Sequence, residues 1–248
     1  MCTVSWLREA EGTPPAPGYR LWFNRDERRD RAAELPAREL EQDGVRLLAP
    51  LDGEAGGAWI AVNEFGLTVG LLNGYVESKG TPSSTPRSRG RLVLDVAHSC
   101  DLETLATRLT SEDLTTYEPF VLLGLATAGE AHAWRWDGAA LSLRSGDGEL
   151  SPLASSGVVQ EEAQQARTAL HADLTRSGLT PENLDRFHRS HGPLGPDALG
   201  PCMHRADAAT RSLVRIHVTS RHVSLDHAPG APCTKSASQP LTLVRQTT

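Results

Sequence analysis

Short apolar runs bounded by Gly-, Pro- and Ser-rich turns dominate the first third of the chain and predict strands. Cys2 to Leu7 and Tyr19 to Phe23 predict an antiparallel hairpin across the turn-rich segment 12–18. Ala58 to Val62 and Gly66 to Leu72 predict a second hairpin, turned around Asn63-Glu64-Phe65-Gly66. Glu77 to Pro86, heavy in Ser, Thr, Pro and Gly, reads as a loop. The period then becomes helical: Leu92, Val93, Val96 and Ala97 form one stripe, and Leu102, Leu105, Ala106 and Leu109 a second that Asp101 can cap. Strand patterns return at 120–127, 131–136 and 140–143, with a tight turn at Trp136-Asp137-Gly138. Helices are expected over 161–174 and 181–189, and strands over 212–218, 222–226 and 241–244. Strands linked by hairpins rather than by strand–helix–strand crossovers predict an α+β fold, antiparallel sheets with helices on their outer faces.

The 248 residues suffice for a sizeable core, and no repeat or composition break divides them, so a single domain over 2–248 is expected. A net charge of −6 argues against nucleic acid as a partner. Only Lys79 and Lys235 are lysines; the other cations are arginines, planar forks suited to carboxylates and phosphates. No apolar run is long enough for a membrane span, and residues 1–9 lack the basic leader and apolar core of a signal peptide, so a cytoplasmic location is expected. Cys2, Cys100, Cys202 and Cys233 contain no C-x-x-C pair, so neither a disulfide framework nor a zinc ribbon is expected.

Three strand ends carry the chemistry. Removal of Met1 would leave Cys2 as the true N-terminus, with an α-amine of pKa about 8 beside a thiol of about 8.5. Such an amine can take the thiol's proton, the N-terminal form of nucleophile–base pairing. The plainer reading is a small buried residue on a strand. The second strand ends in Asn24-Arg25-Asp26-Glu27, where Arg25 can favour a thiolate and Asp26 can hold the amine or the arginine; a solvated charged turn is the alternative. Adjacent residues on a regular strand face opposite ways, so one of Arg25 and Asp26 is expected to point away from Cys2. The strand ending Leu72-Asn73-Gly74 offers the Asn73 amide and the Gly74 N–H as oxyanion donors, or simply a turn.

Together with Gly56-Gly57-Ala58-Trp59-Ile60-Ala61-Val62-Asn63, Ser88-Arg89-Gly90 and Ser155-Ser156, these segments resemble the NRDE family, also called the transport and Golgi organisation 2 family. The resemblance implies the four-layer αββα sandwich of N-terminal-nucleophile hydrolases and a Cys2 acyl-enzyme formed on an amide or thioester substrate. Arg25 and Asp26 would support the nucleophile, and Asn73 with Gly74 would receive the oxyanion. Trp59, Asn24, His204 and Arg205 are the candidate substrate contacts; for the last two the alternative is a loop entering a strand beside a buried Cys202. No cofactor is implied. His188, His191, Cys202 and His204 offer nitrogen and sulfur ligands, but their spacing fits no common zinc template, and no metal site is expected. The alternative functional class is a non-catalytic haem or small-ligand carrier, since family members are linked to Golgi organisation and haem handling.

Overall fold

The computed structural model describes residues 2–9, 18–75, 86–157, 159–193, 195–196, 199–234 and 239–246. Among these residues, thirteen strands form two antiparallel sheets. The first hairpin is β1 (Cys2–Arg8) and β2 (Tyr19–Arg28), and its predicted tip lies outside the described residues. Next come β3 (Leu35–Gln42), β4 (Val45–Leu51), β5 (Ile60–Asn63) and β6 (Thr68–Asn73). The predicted loop at 77–86 also falls outside the described residues, except Pro86. Helices α1 (Arg89–Val96) and α2 (Leu102–Ser111) precede β7 (Phe120–Leu125), β8 (His132–Trp136), β9 (Leu141–Ser145) and β10 (Leu153–Ser155). Helices α3 (Gln160–Leu174) and α4 (Pro181–Arg189) lead to β11 (Ala208–Val218), β12 (His222–Pro229) and β13 (Leu241–Val244).

One sheet has the order β10-β1-β2-β11-β12-β13 and the other runs β3 to β9 in chain order. Period-two alternation decides which side chain enters which layer. Along β2, Tyr19, Leu21 and Phe23 enter the core between the sheets, with Val4 and Trp6 of β1 and Leu48, Ile60 and Leu72 of the facing sheet. Trp22 points the other way and packs with Leu184 of α4 and Leu213 of β11. The outer face of the seven-stranded sheet buries Val69, Leu71 and Leu122 against Leu92 and Val96 of α1 and Leu105 and Leu109 of α2. The layers are therefore helix, sheet, sheet, helix.

The helix boundaries follow their local chemistry. The Asp101 side chain accepts the Thr104 N–H at 2.7 Å and caps α2. Thr180 caps α4, with Pro181 in its first turn. Strand β3, paired with the apolar and largely buried β4, escapes the hydrophobic pattern because Leu-Pro-Ala-Arg-Glu-Leu-Glu-Gln is a largely exposed edge strand. Their hairpin is announced instead by Asp43-Gly44, both at positive φ (50° and 78°). No helix among the described residues is long and apolar enough to cross a membrane.

Candidate active site

Cys2 and Arg25 are directly opposed across the β1–β2 ladder, so their side chains share one face, the one turned to the second sheet. Cys2 is buried, and its backbone N–H donates to the Ser155 hydroxyl at 3.1 Å on the other flank, where β10 pairs with β1. A cavity of about 390 Å³ opens over Cys2; Arg25, Asp52, Trp59, Asn73 and Arg89 are in its wall. The segment Asn24-Arg25-Asp26 continues an apolar strand past the end of its core contacts. At that point the ladder to β11 slips by one residue between Thr210 and Ser212, a bulge opposite Asp26 and Arg25.

Arg25 is almost wholly buried and is held from three sides. It donates to Asp52 at 2.7 Å, to Glu34 at 3.2 Å and to Glu27 at 3.3 Å, while its guanidinium lies 4.6 Å over the Trp59 ring. Trp59 thus serves as wall and as platform for Arg25. Burial alone would raise the Asp52 carboxyl, but hydrogen bonds from Arg31 and the Ala55 N–H outweigh it and hold the group at about 2. A depressed carboxyl lends stability above its unfolded value of about 3.9 and loses it as pH falls through the folded one. Replacing Asp52→Asn is therefore expected to flatten the fall in stability between about pH 4 and pH 2. Urea melts across that range check it; an unchanged acid slope would rule out this carboxylate as its source.

Asp26 lies on the opposite face of β2, as strand alternation demands, and its carboxylate is wholly buried under the helical layer. It accepts from Thr210 Oγ1 at 2.6 Å and pairs with Arg167 of α3 at 3.5 Å. Arg167, itself fully buried, also donates to Thr3 Oγ1 at 2.5 Å, the Cys2 carbonyl at 3.2 Å and the Leu199 carbonyl at 3.2 Å. Asp26 is therefore linked to Cys2 through this frame and through its own main-chain N–H, which is directed at the sulfur. Burial pushes the Cys2 thiol up, and the Asp26 carboxylate pushes the same way; the Asp26 N–H and Arg25 pull against them. A thiol held protonated in this way needs a base at the moment of attack.

Four sequence-based assignments are corrected. Gly74 is no oxyanion donor: its N–H donates to the Pro119 carbonyl at 2.9 Å, and a Cβ there would sit 2.7 Å from the Phe120 nitrogen, so the glycine serves close backbone approach. Asn24 does not line the cavity. On the Asp26 face of β2, its amide donates to the His188 and Pro201 carbonyls, both at 2.8 Å, and ties α4 to the loop after it. His204 lies outside the cavity wall, with its Nε2 3.3 Å from Cys233 Sγ and 3.5 Å from Cys202 Sγ. Arg205 spends its guanidinium on Asp207 at 3.0 and 2.7 Å, in the loop that enters β11.

Two further residues of the motif segments lie at the site. Ser155 receives the Cys2 N–H. Arg89, in the first turn of α1, is partly buried in the cavity wall, donates to the Pro119 carbonyl at 2.8 Å and has no carboxylate within 4 Å among the described residues. Burial lowers its affinity for its proton, with Tyr75 and Glu118 acting the other way.

The family model described as Transport and Golgi organisation 2 matches residues 1–142. Among solved structures, penicillin V acylase from Agrobacterium tumefaciens is similar at 14% identity and a TM-score of 0.51, over 92% of this chain and 83% of that one. The Caenorhabditis elegans ortholog of N-acylethanolamine-hydrolyzing acid amidase is similar at 9% identity and a TM-score of 0.60, over 87% of this chain and 92% of that one. At these identities the likeness concerns the fold, which is that of the N-terminal-nucleophile hydrolases. No curated protein matches the chain significantly.

Proposed function

The chain belongs to the Transport and Golgi organisation 2 family, and from that premise we propose that it is an N-terminal cysteine hydrolase or acyltransferase of amide or thioester substrates. The observation that carries the reading is the convergence of Cys2, Arg25 and Asn73 on one cavity. Met1 lies outside the described residues; its removal converts the Cys2 nitrogen, already anchored by Ser155, into a free amine. That amine accepts the thiol proton, directly or through one water, as sulfur attacks the acyl carbon. Asn73 donates to the oxygen that gains charge in the tetrahedral species. When the carbon–nitrogen or carbon–sulfur bond breaks, the ammonium returns its proton to the leaving group and a Cys2 thioester remains. Water, or a second nucleophile, then attacks the thioester, losing its proton to the amine and restoring the thiol. Arg25 is immobilised by its carboxylates and offers a fixed positive charge beside the sulfur.

Arg89 narrows the substrate class. A guanidinium in the cavity wall with no carboxylate partner among the described residues suits an acyl compound that carries its own anionic group. Replacing Arg89→Met is expected to raise KM for an anionic substrate by about 10–100-fold, the worth of a charge-assisted hydrogen bond, with kcat changed only a few-fold. Neutral analogues should be indifferent to the substitution. Equal losses for anionic and neutral substrates would remove Arg89 from recognition.

The test of the whole reading is mass spectrometry after brief treatment with a limiting thiol electrophile at neutral pH. The expected result is a peptide that begins at Cys2 and is modified well ahead of Cys100, Cys202 and Cys233. Retention of Met1 on the native protein, or a Cys2 no faster than the others, would end it.

A further inference from the structure

Behind the Asp26 face of the six-stranded sheet, four side chains that no step of the proposed reaction uses have been brought together from three separate segments. His191 follows α4, Cys202 and His204 flank the turn before β11, and Cys233 follows β12. One ligand atom from each lies within 4.8 Å of all the others. The sulfur–nitrogen separations are 3.5 Å from Cys202 to His204 and 3.3 Å from Cys233 to His204. A tetrahedral zinc ion with bonds of about 2.3 Å to sulfur and 2.0–2.1 Å to nitrogen would set such an edge at about 3.6 Å. The two imidazoles stand edge to face, 5.0 Å between centroids. His191 Nε2 is buried and has no hydrogen-bond partner among the described residues, an unmet polar atom that a ligand would satisfy.

The surrounding main chain holds these side chains in place. The Cys202 N–H donates to the Ser190 carbonyl at 3.0 Å and the His204 N–H to the Pro196 carbonyl at 2.7 Å. Arg189 ties in the Cys233 segment through the Pro232 carbonyl at 2.8 Å. Gly200 lies so close to His191 that a Cβ would sit 2.2 Å from its carbonyl oxygen. His188, the nearest other candidate by sequence, is withdrawn: it is fully buried on Ser5 Oγ at 2.8 Å and Asn24 Oδ1 at 3.1 Å. This exchange of His188 for the sequence-distant Cys233 is why spacing alone pointed away from a metal.

We infer that His191, Cys202, His204 and Cys233 form a structural site for a tetrahedral divalent transition metal of the zinc type. Two thiolates and two neutral imidazoles leave no open position for substrate and balance a divalent charge, and binding releases the two thiol protons. The site staples the end of α4, the turn before β11 and the segment after β12. That turn also reaches the nucleophile's frame, since the Met203 N–H donates at 2.8 Å to Thr210 Oγ1, which donates to Asp26.

The experiment uses the full chain, reduced and stripped by a chelator, titrated with Co²⁺ and followed by absorption. One equivalent is expected to bind with thiolate-to-metal charge transfer and the strong visible bands of a tetrahedral ion, and to be displaced by Zn²⁺. Cys202→Ser and Cys233→Ser should each reduce bound metal from one equivalent to near zero, whereas His191→Cys should keep the metal and strengthen the charge-transfer band. Failure of the folded, reduced wild-type chain to take up stoichiometric Co²⁺ or Zn²⁺ overturns the site without recourse to any variant. So does recovery of Cys202 and Cys233 as a disulfide from metal-replete cells, which would make them a redox pair.

Discussion

The Cys2→Ala protein should fold normally and fail to turn over. The side chain sits at the edge of the inter-sheet core, so losing one sulfur removes little buried volume; the cost is expected to be about 1 kcal/mol or less. The chemical loss is far larger, because no other described group in the cavity wall is a comparable nucleophile. Removing the nucleophile of a covalent hydrolase costs on the order of a million-fold in kcat, and no acyl-enzyme mass should appear in the variant. A second protein separates thiol from amine: with one residue inserted between Met1 and Cys2, the sulfur remains but the free amine moves away. That protein should be inactive as well, and its Cys2 should lose its advantage over Cys100, Cys202 and Cys233 toward electrophiles. Turnover by the alanine variant would refute the covalent mechanism; full activity of the inserted variant would refute only the amine's role.

Much of this arrangement was legible before the structure, and the reason is strand alternation. A hairpin of the two strands brings the exit of the second near Cys2, where the ladder sets Arg25 opposite it, and the period-two rule put one of Arg25 and Asp26 out of reach of the sulfur. The rule also disposes of Asn24, which shares the Asp26 face and so braces the helical layer rather than lining the cavity. Gly74 was misread because Asn-Gly carries two meanings; the approach of Pro119 and Phe120, far along the chain, selects between them. Asp52 and Glu34, which immobilise Arg25, come from the β3–β4 region, where charge on an exposed edge strand erased the strand signal. The pairing of Cys233 with His191, Cys202 and His204 depends on how the α4–β11 connection folds back over β12, and no local pattern encodes that.

Arg167 is the position where a single substitution should cost most in stability. Its guanidinium and the Asp26 carboxylate are both wholly shielded from water, and the same guanidinium meets Thr3, Leu199 and the Cys2 carbonyl. Replacing Arg167→Met keeps much of the length of the aliphatic stem but takes from the buried Asp26 carboxylate the foremost of the groups that favour its charged form. Orphaning one member of a buried pair costs about 3–5 kcal/mol, a large share of the stability of an ordinary domain. The pH dependence tells this loss apart from simple packing damage. Burial already raises the Asp26 carboxyl above its ordinary value, with Arg167 the first of the groups that pull it back, so removing Arg167 raises it further. Between the unfolded value of about 3.9 and that raised folded value, the native state holds more protons than the unfolded one, so stability falls as pH rises. The deficit of Arg167→Met should therefore be greatest near neutrality and shrink as the solution is acidified toward pH 4. Adding Asp26→Asn should recover part of it at neutral pH by removing the charge that Arg167 offset. Urea denaturation of the two single variants and the double variant at pH 7 and pH 4.5 measures the coupling directly. A deficit independent of pH, with no recovery in the double variant, would mean that Arg167 matters for its volume and its carbonyl contacts, and that Asp26 is not held as an anion by α3.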